Sequence, residues 1–290
     1  MYGTVDFVEL PTVSEFAQPR AASVTPFDDP STGASSDRSI IGVHNLEAVA
    51  NLANSFGSLD LFARLTAIRN SVRGRVVFTT SFGLEDQAIT HALFSQRLDV
   101  DVVTLDTGRL FPETHEVWAN TERRYVKRIV AFTPDRAGVE ALIARHGIDG
   151  MRSSVAARFE CCAIRKVEPL ARVFDGAAAW ITGLRADQSS ERAHTSLASF
   201  DEGRGLIKIN PLFDWTRQQA VDFVGDHHVP YNALHDRGFL SIGCAPCTRA
   251  VAPGEPERAG RWWWEREDQK ECGLHIASDG RVNRAASPNP

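Results

Sequence analysis

Five cysteines stand in this chain, and their spacing divides them. Cys161 and Cys162 are adjacent within Arg158-Phe159-Glu160-Cys161-Cys162-Ala163-Ile164-Arg165-Lys166, while Cys244 and Cys247 form a CxxC. Cys272 stands alone in Gln269-Lys270-Glu271-Cys272-Gly273-Leu274-His275. Two pairs make a set of four thiolate ligands, and the odd fifth thiol is left over. Neighbouring residues on a helix point about 100° apart, so a single tetrahedral zinc would strain the vicinal pair, whereas a cubane offers each thiolate its own iron. A lone CxxC also suits zinc or redox exchange, and free cysteines are common as small buried hydrophobes. Both pairs in one chain favour an iron-sulfur cluster over these alternatives. Arg165 and Lys166 stand where they can offset thiolate charge, unless they simply form a solvated helix face.

Around Cys272, Lys270 and His275 favour a thiolate over the free thiol. Upstream, Arg258 and Arg261 can steer an anion, and the indoles of Trp262-Trp263-Trp264 suit packing anchors for the C-terminal segment. The elements that must position these groups alternate short apolar strands with amphipathic helices, the pattern of a parallel sheet with crossover helices. The apolar pattern predicts strands at 76–78, 100–105, 126–132, 180–182 and 206–209. Helices are expected near 85–96, 112–124 and 138–146, with a long helical stretch over 151–174. Ser58 is placed to cap a helix carrying Leu61, Phe62, Leu65 and Ile68, and Asp214 to cap one over 215–227 that Pro230 ends.

Ligands of open parallel sheets bind at the carboxyl ends of the strands, so the loops leaving them carry the interest. The first is Thr79-Thr80-Ser81-Phe82-Gly83-Leu84-Glu85-Asp86-Gln87, a Ser/Gly helix entry that can offer N-H groups to an anion or serve as a plain cap. The second, Leu105-Asp106-Thr107-Gly108-Arg109, places Asp106 where it can meet a ribose or merely hold a turn. The third, Gly183-Leu184-Arg185-Ala186-Asp187-Gln188-Ser189-Ser190-Glu191-Arg192, brings two arginines to one strand end, and their planar forks match phosphate and sulfate oxygens.

With 290 residues, 43% hydrophobic and 24% charged, the composition is that of an ordinary globular protein. A net charge of -5 argues against a general nucleic-acid binder, so an anionic ligand needs a local basic cluster. The start has neither the basic residues nor the apolar stretch of a secretory signal, and no apolar run approaches a membrane span. The expectation is a cytoplasmic protein with no membrane or nucleic-acid partner, in which cysteines ligate or catalyse rather than form structural disulfides. The reading divides the chain into a flexible leader over 1–40, an α/β nucleotide-binding domain over 41–240 and a C-terminal segment over 241–290.

These motifs together resemble the assimilatory adenylylsulfate and phosphoadenylylsulfate reductases, from about Val76 to His275. The resemblance rests on Ser-Phe-Gly-x-Glu-Asp at Ser81 to Asp86, Leu-Asp-Thr-Gly at Leu105 to Gly108 and Gly-x-Arg-x-x-Gln-Ser at Gly183 to Ser189. It also rests on Cys-Cys-x-x-Arg-Lys at Cys161 to Lys166, the CxxC at Cys244 to Cys247 and Glu-Cys-Gly-x-His at Glu271 to His275. It implies a fold like the adenine-nucleotide alpha hydrolases, PP-loop-like, with a mainly parallel twisted sheet and helices on both faces. The usual SGGxDS phosphate loop is replaced here at Phe82, Glu85 and Asp86, which suits a phosphosulfate rather than a pyrophosphate.

Family members with both cysteine pairs use adenylylsulfate and hold a [4Fe-4S] cluster, which here implies Cys161, Cys162, Cys244 and Cys247 as ligands. Cys272 is implied as the nucleophile that forms an S-sulfocysteine, released as sulfite by thioredoxin or a glutaredoxin-like donor. Arg185, Arg258, Arg261 and His275 are implied to bind phosphate or sulfate, Lys166 to act near the sulfate, and Ser81, Gly83 and Asp106 to frame the nucleotide. Family members are often homo-oligomers. Acceptance of phosphoadenylylsulfate is the nearest alternative; a PP-loop tRNA-thiolating enzyme and a non-enzymatic cluster- or zinc-binding sensor rank below it.

Overall fold

The computed structural model describes residues 49–52 and 55–266. The leader expected over 1–40 lies outside them, as do Cys272 and His275. Six strands form one sheet: β1 (Arg75–Thr80), β2 (Asp101–Leu105), β3 (Val130–Phe132), β4 (Ala177–Ile181), β5 (Ala198–Asp201) and β6 (Leu206–Ile209), in the order β3-β2-β1-β4-β6-β5. All neighbours are parallel except β5 against β6. The chain runs outward from β1 to β3 and then returns to the other side of β1, so the order reverses between β1 and β4. That reversal opens a crevice at the strands' carboxyl ends.

The helices are α1 (Leu61–Ser71), α2 (Leu84–Ser95), α3 (Pro112–Tyr125), α4 (Arg136–His146), α5 (Val155–Cys162), α6 (Glu168–Val173) and α7 (Arg217–Asp226). Alternating strand residues feed two cores, as the two-residue period requires. On one face Val76, Phe78, Val102, Ile181 and Ile209 pack with Leu65 and Ile68 of α1, Ile89 and Leu93 of α2, and Val224 of α7. On the other, Val77, Val103, Trp180 and Leu206 pack with Leu170 and Val173 of α6. Both faces are therefore covered, as expected of a mainly parallel sheet.

Local chemistry shifts several expected boundaries. Asp60, not Ser58, caps α1, its carboxylate accepting from Ala63 N at 2.8 Å. Thr216, not Asp214, caps α7 through a reciprocal box with Gln219. The strand expected from 126 begins only at Val130, because Val126 closes α3 in a left-handed conformation (φ 52°) with its side chain in solvent. The long helix expected over 151–174 is broken into a 3-10 turn (Gly150–Arg152), α5, a π-helical turn (Ala163–Val167) and α6.

Asp214 has a different task. With the carbonyls of Phe56, Gly57 and Pro211 it surrounds the buried guanidinium of Arg64, at 2.5 to 3.3 Å. This polar knot pins α1 to the loop after β6. Arg64→Leu leaves those acceptors without their donor, and urea unfolding is expected to show a loss of about 2–4 kcal/mol. A loss within experimental error would show that the knot carries no stability.

Candidate active site

A cavity of about 220 Å³ fills the crevice. Thr79 and Thr80 of β1, Thr104 and Leu105 of β2, and Thr182 and Gly183 after β4 form its floor, and the segment carrying Ser241, Gly243, Glu257, Arg258, Arg261 and Trp262 closes it. Ser81, Gly83, Lys166, Arg258 and Arg261 all line it, five of the residues singled out in the sequence. Asp106 and Arg185 are not among the lining residues. Asp106 accepts from Gly108 N at 2.9 Å and holds its own turn.

The loop after β1 is shaped by one carboxylate. Asp86 accepts from Ser81 N at 2.6 Å and Ser81 Oγ at 2.8 Å, and this turn forces Phe82 into a left-handed conformation (φ 62°) with its ring buried against Trp118. Gly183 is needed beside it, since a Cβ there would strike Asp86 Oδ1. Gly243 serves the same purpose opposite, where a Cβ would strike the guanidinium of Arg261. Arg261 is buried, yet its Nε has no partner among the described residues, and its Nη1 makes only long contacts, to Ser241 Oγ at 3.5 Å and Ile242 O at 3.4 Å. A guanidinium so poorly supplied with acceptors favours an anion.

Cys161, Cys162, Cys244 and Cys247 line a second, smaller pocket together with Arg158, Arg165 and Met151. Lys166, Cys244 and Trp262 belong to both cavities, so the cysteine pocket and the crevice share a wall. The vicinal pair ends α5, and the π turn that follows carries Arg165 inward, where it donates to Thr107 O at 2.7 Å. Thr107 Oγ1 lies 3.3 Å from Cys244 Sγ, and Ala245 N donates to Arg109 O at 2.8 Å, so the loop after β2 carries the CxxC. Trp262 N donates to Cys247 O, and the guanidiniums of Arg158 and Arg261 both stack on the Trp262 ring, 4.6 and 4.7 Å from its centroid. Arg158 is fully buried and pairs with Glu265 at 2.7 Å.

Burial pushes the Cys247 thiol up to about 11, with the neighbouring Cys244 adding to it, and raises Cys161 as well. As free thiols these are poor nucleophiles; their use is as ligands, where a metal displaces the proton. No three His, Cys, Asp or Glu among the described residues converge on a point suited to a single metal ion.

Residues 75–250 match the family described as the phosphoadenosine phosphosulfate reductase domain. Relatives named adenosine 5'-phosphosulfate reductase are 51% identical in Agrobacterium fabrum, over 79% of this chain and 87% of that one, and 54% identical in Rhizobium meliloti, over 76% and 82%. The chain belongs to the adenylylsulfate and phosphoadenylylsulfate reductase family. A solved member, the phosphoadenylyl-sulfate reductase of Candida auris in a phosphate complex, is 26% identical with a TM-score of 0.61, covering 71% of this chain and 97% of that one. The PP-loop-like fold expected from the motifs is the one observed.

Two wall groups of this reductase-family cavity, Glu257 and His235, escaped the sequence reading; Asp86 of the first loop and Arg192 of the third also line it. Burial, reinforced by the charge of Glu85, raises the Asp86 carboxyl from 3.8 to about 7, against the two Ser81 hydrogen bonds. The folded value exceeds the unfolded one, so the folded state holds the proton more tightly and this group's stabilisation fades as pH rises from 3.8 to about 7. Asp86→Asn is expected to flatten that part of the stability profile, measured as urea midpoint against pH. An unchanged slope would place the titration elsewhere.

Proposed function

We propose that this chain reduces adenylylsulfate to sulfite and AMP in the cytoplasm, using the two electrons of a thioredoxin- or glutaredoxin-like dithiol, and that it carries a [4Fe-4S] cluster. The observation that carries the reading is the shared wall. Four cysteines drawn from two distant segments line one pocket, and that pocket adjoins a cation-lined cavity at the strand reversal. The curated relatives in Agrobacterium fabrum and Rhizobium meliloti, named for the adenylylsulfate reaction, support the choice of substrate.

In this reading Ser81, Gly83 and the first turn of α2 frame the nucleotide, and Arg258 and Arg261 take phosphate and sulfate oxygens. The Cys272 thiolate attacks the sulfonate sulfur as the bond to the AMP phosphate oxygen breaks, giving an S-sulfocysteine. A donor thiolate then attacks Cys272 Sγ. Sulfite leaves with the electron pair of the S-S bond, and the donor's second thiol resolves the mixed disulfide. His275 stands near Cys272 in sequence and is assigned to the same anion. Cys161, Cys162, Cys244 and Cys247 would hold the cluster, and their chemistry fits: three buried thiols and a half-buried one, with Arg158, Arg165 and Lys166 beside them to balance thiolate charge. When bound, it supplies structural order and electrostatic organisation beside Lys166.

Cys272→Ser is expected to keep its iron and visible absorption while sulfite release from adenylylsulfate falls by about a thousandfold or more. Release at the wild-type rate would remove Cys272 from the role of nucleophile. Running the 3'-phosphorylated substrate alongside assigns the preference, and faster turnover of that compound would contradict the choice of adenylylsulfate.

A further inference from the structure

Arg185 looks in sequence like a ligand for the anion, yet its guanidinium is fully buried and it is not among the residues lining the cavity. It binds carboxylates instead. Its Nε donates to Glu85 Oε1 at 2.7 Å, its Nη2 to Glu257 Oε1 and Oε2 at 3.0 and 2.8 Å, and its Nη1 to Asp187 at 3.1 Å. Glu85 and Glu257 both line the cavity. Glu85 sits in the first turn of α2, where an anion would otherwise meet the positive end of the helix, and Glu257 directly precedes Arg258.

Two carboxylates in the wall of a site for a multiply charged anion would repel it, juxtaposed like charges costing affinity. Arg185 draws three of their four oxygens inward. Burial and the charge of Glu85 raise the Glu257 carboxyl, while Arg185 opposes both. Burial also acts to raise Glu85, but the charge and hydrogen bond of Arg185 hold it below its ordinary value. Gln188 Nε2 adds a donor to Glu85 Oε1 at 3.2 Å, and Arg192 holds Gln188 in place at 2.6 Å.

We propose that Arg185 is a positioning residue which silences Glu85 and Glu257, keeping the cavity cationic for the phosphosulfate and tying the Arg258 segment to the first turn of α2. The inference rests on the nucleotide reading of the cavity. It separates Arg185 from Arg258 and Arg261: those two face the anion, and Arg185 neutralises the carboxylates among them.

The test compares AMP with uncharged adenosine, titrated calorimetrically into the cluster-loaded full chain. Arg185→Met is expected to weaken AMP about tenfold or more, with adenosine losing far less. Adding Glu85→Gln and Glu257→Gln replaces the charged triad by neutral groups of similar shape and is expected to restore most of the AMP affinity. AMP affinity that stays low in the triple variant would mean that Arg185 contacts the phosphate itself and would overturn the proposal. Equal losses for AMP and adenosine in both variants would reduce Arg185 to a structural role and overturn it too. Failure of the unsubstituted protein to bind either ligand would instead sink the nucleotide reading, and this inference with it.

Discussion

The site depends on the return of the C-terminal segment to the end of α5. Cys244 and Cys247 are more than eighty residues from Cys161 and Cys162 in sequence, yet all four face one pocket. The return is held by backbone bonds to the loop after β2 and by the buried Arg158–Glu265 pair, and Trp262 packs against two guanidiniums. Breaking such a pair strands a charge in the interior, so the segment is strongly fixed up to Glu265. Because Lys166, Cys244 and Trp262 also wall the crevice, what orders the cysteine pocket orders the anion site. A cluster there would be a clamp on that shared wall as well as a source of charge.

A chain of net charge -5 attracts no anion by its overall field. Its affinity must come from local arrangement, and the crevice supplies one: Lys166, Arg192, Arg258 and Arg261 line it, with Glu85 and Glu257 turned toward Arg185. The acidic groups still shape the loop. Asp86 sets the turn at Ser81, and Glu85 accepts from Arg185, so the residues that depart from an SGGxDS loop are those that build this one.

The strands and helices were legible because their apolar residues follow the periods of two and 3.6 that burial imposes. The antiparallel β5 was missed, and its few residues, half-buried in the middle, show no clear alternation. The π turn left no trace either, since Ala163–Val167 reads as ordinary helix, though it is what carries Arg165 inward beside the cysteine pair. Of the site, the cysteine pairs announced themselves by spacing, Ser81, Gly83 and Lys166 by motif, and Arg258 and Arg261 by their charge upstream of Cys272. Arg185 was recognised as important for a different reason from the one its surroundings supply. Glu257 carried no local signal, because its meaning lies in Arg185, a partner that only the fold brings near.

The central claim is that the four cysteines hold one polynuclear iron site beside the crevice. Anomalous diffraction at the iron edge, from crystals of anaerobically purified protein, tests it most directly. The account predicts a compact iron peak bounded by Cys161, Cys162, Cys244 and Cys247 and adjoining Lys166. A zinc signal on any of them, or four cysteines with no iron between them in protein that still reduces adenylylsulfate, would contradict it.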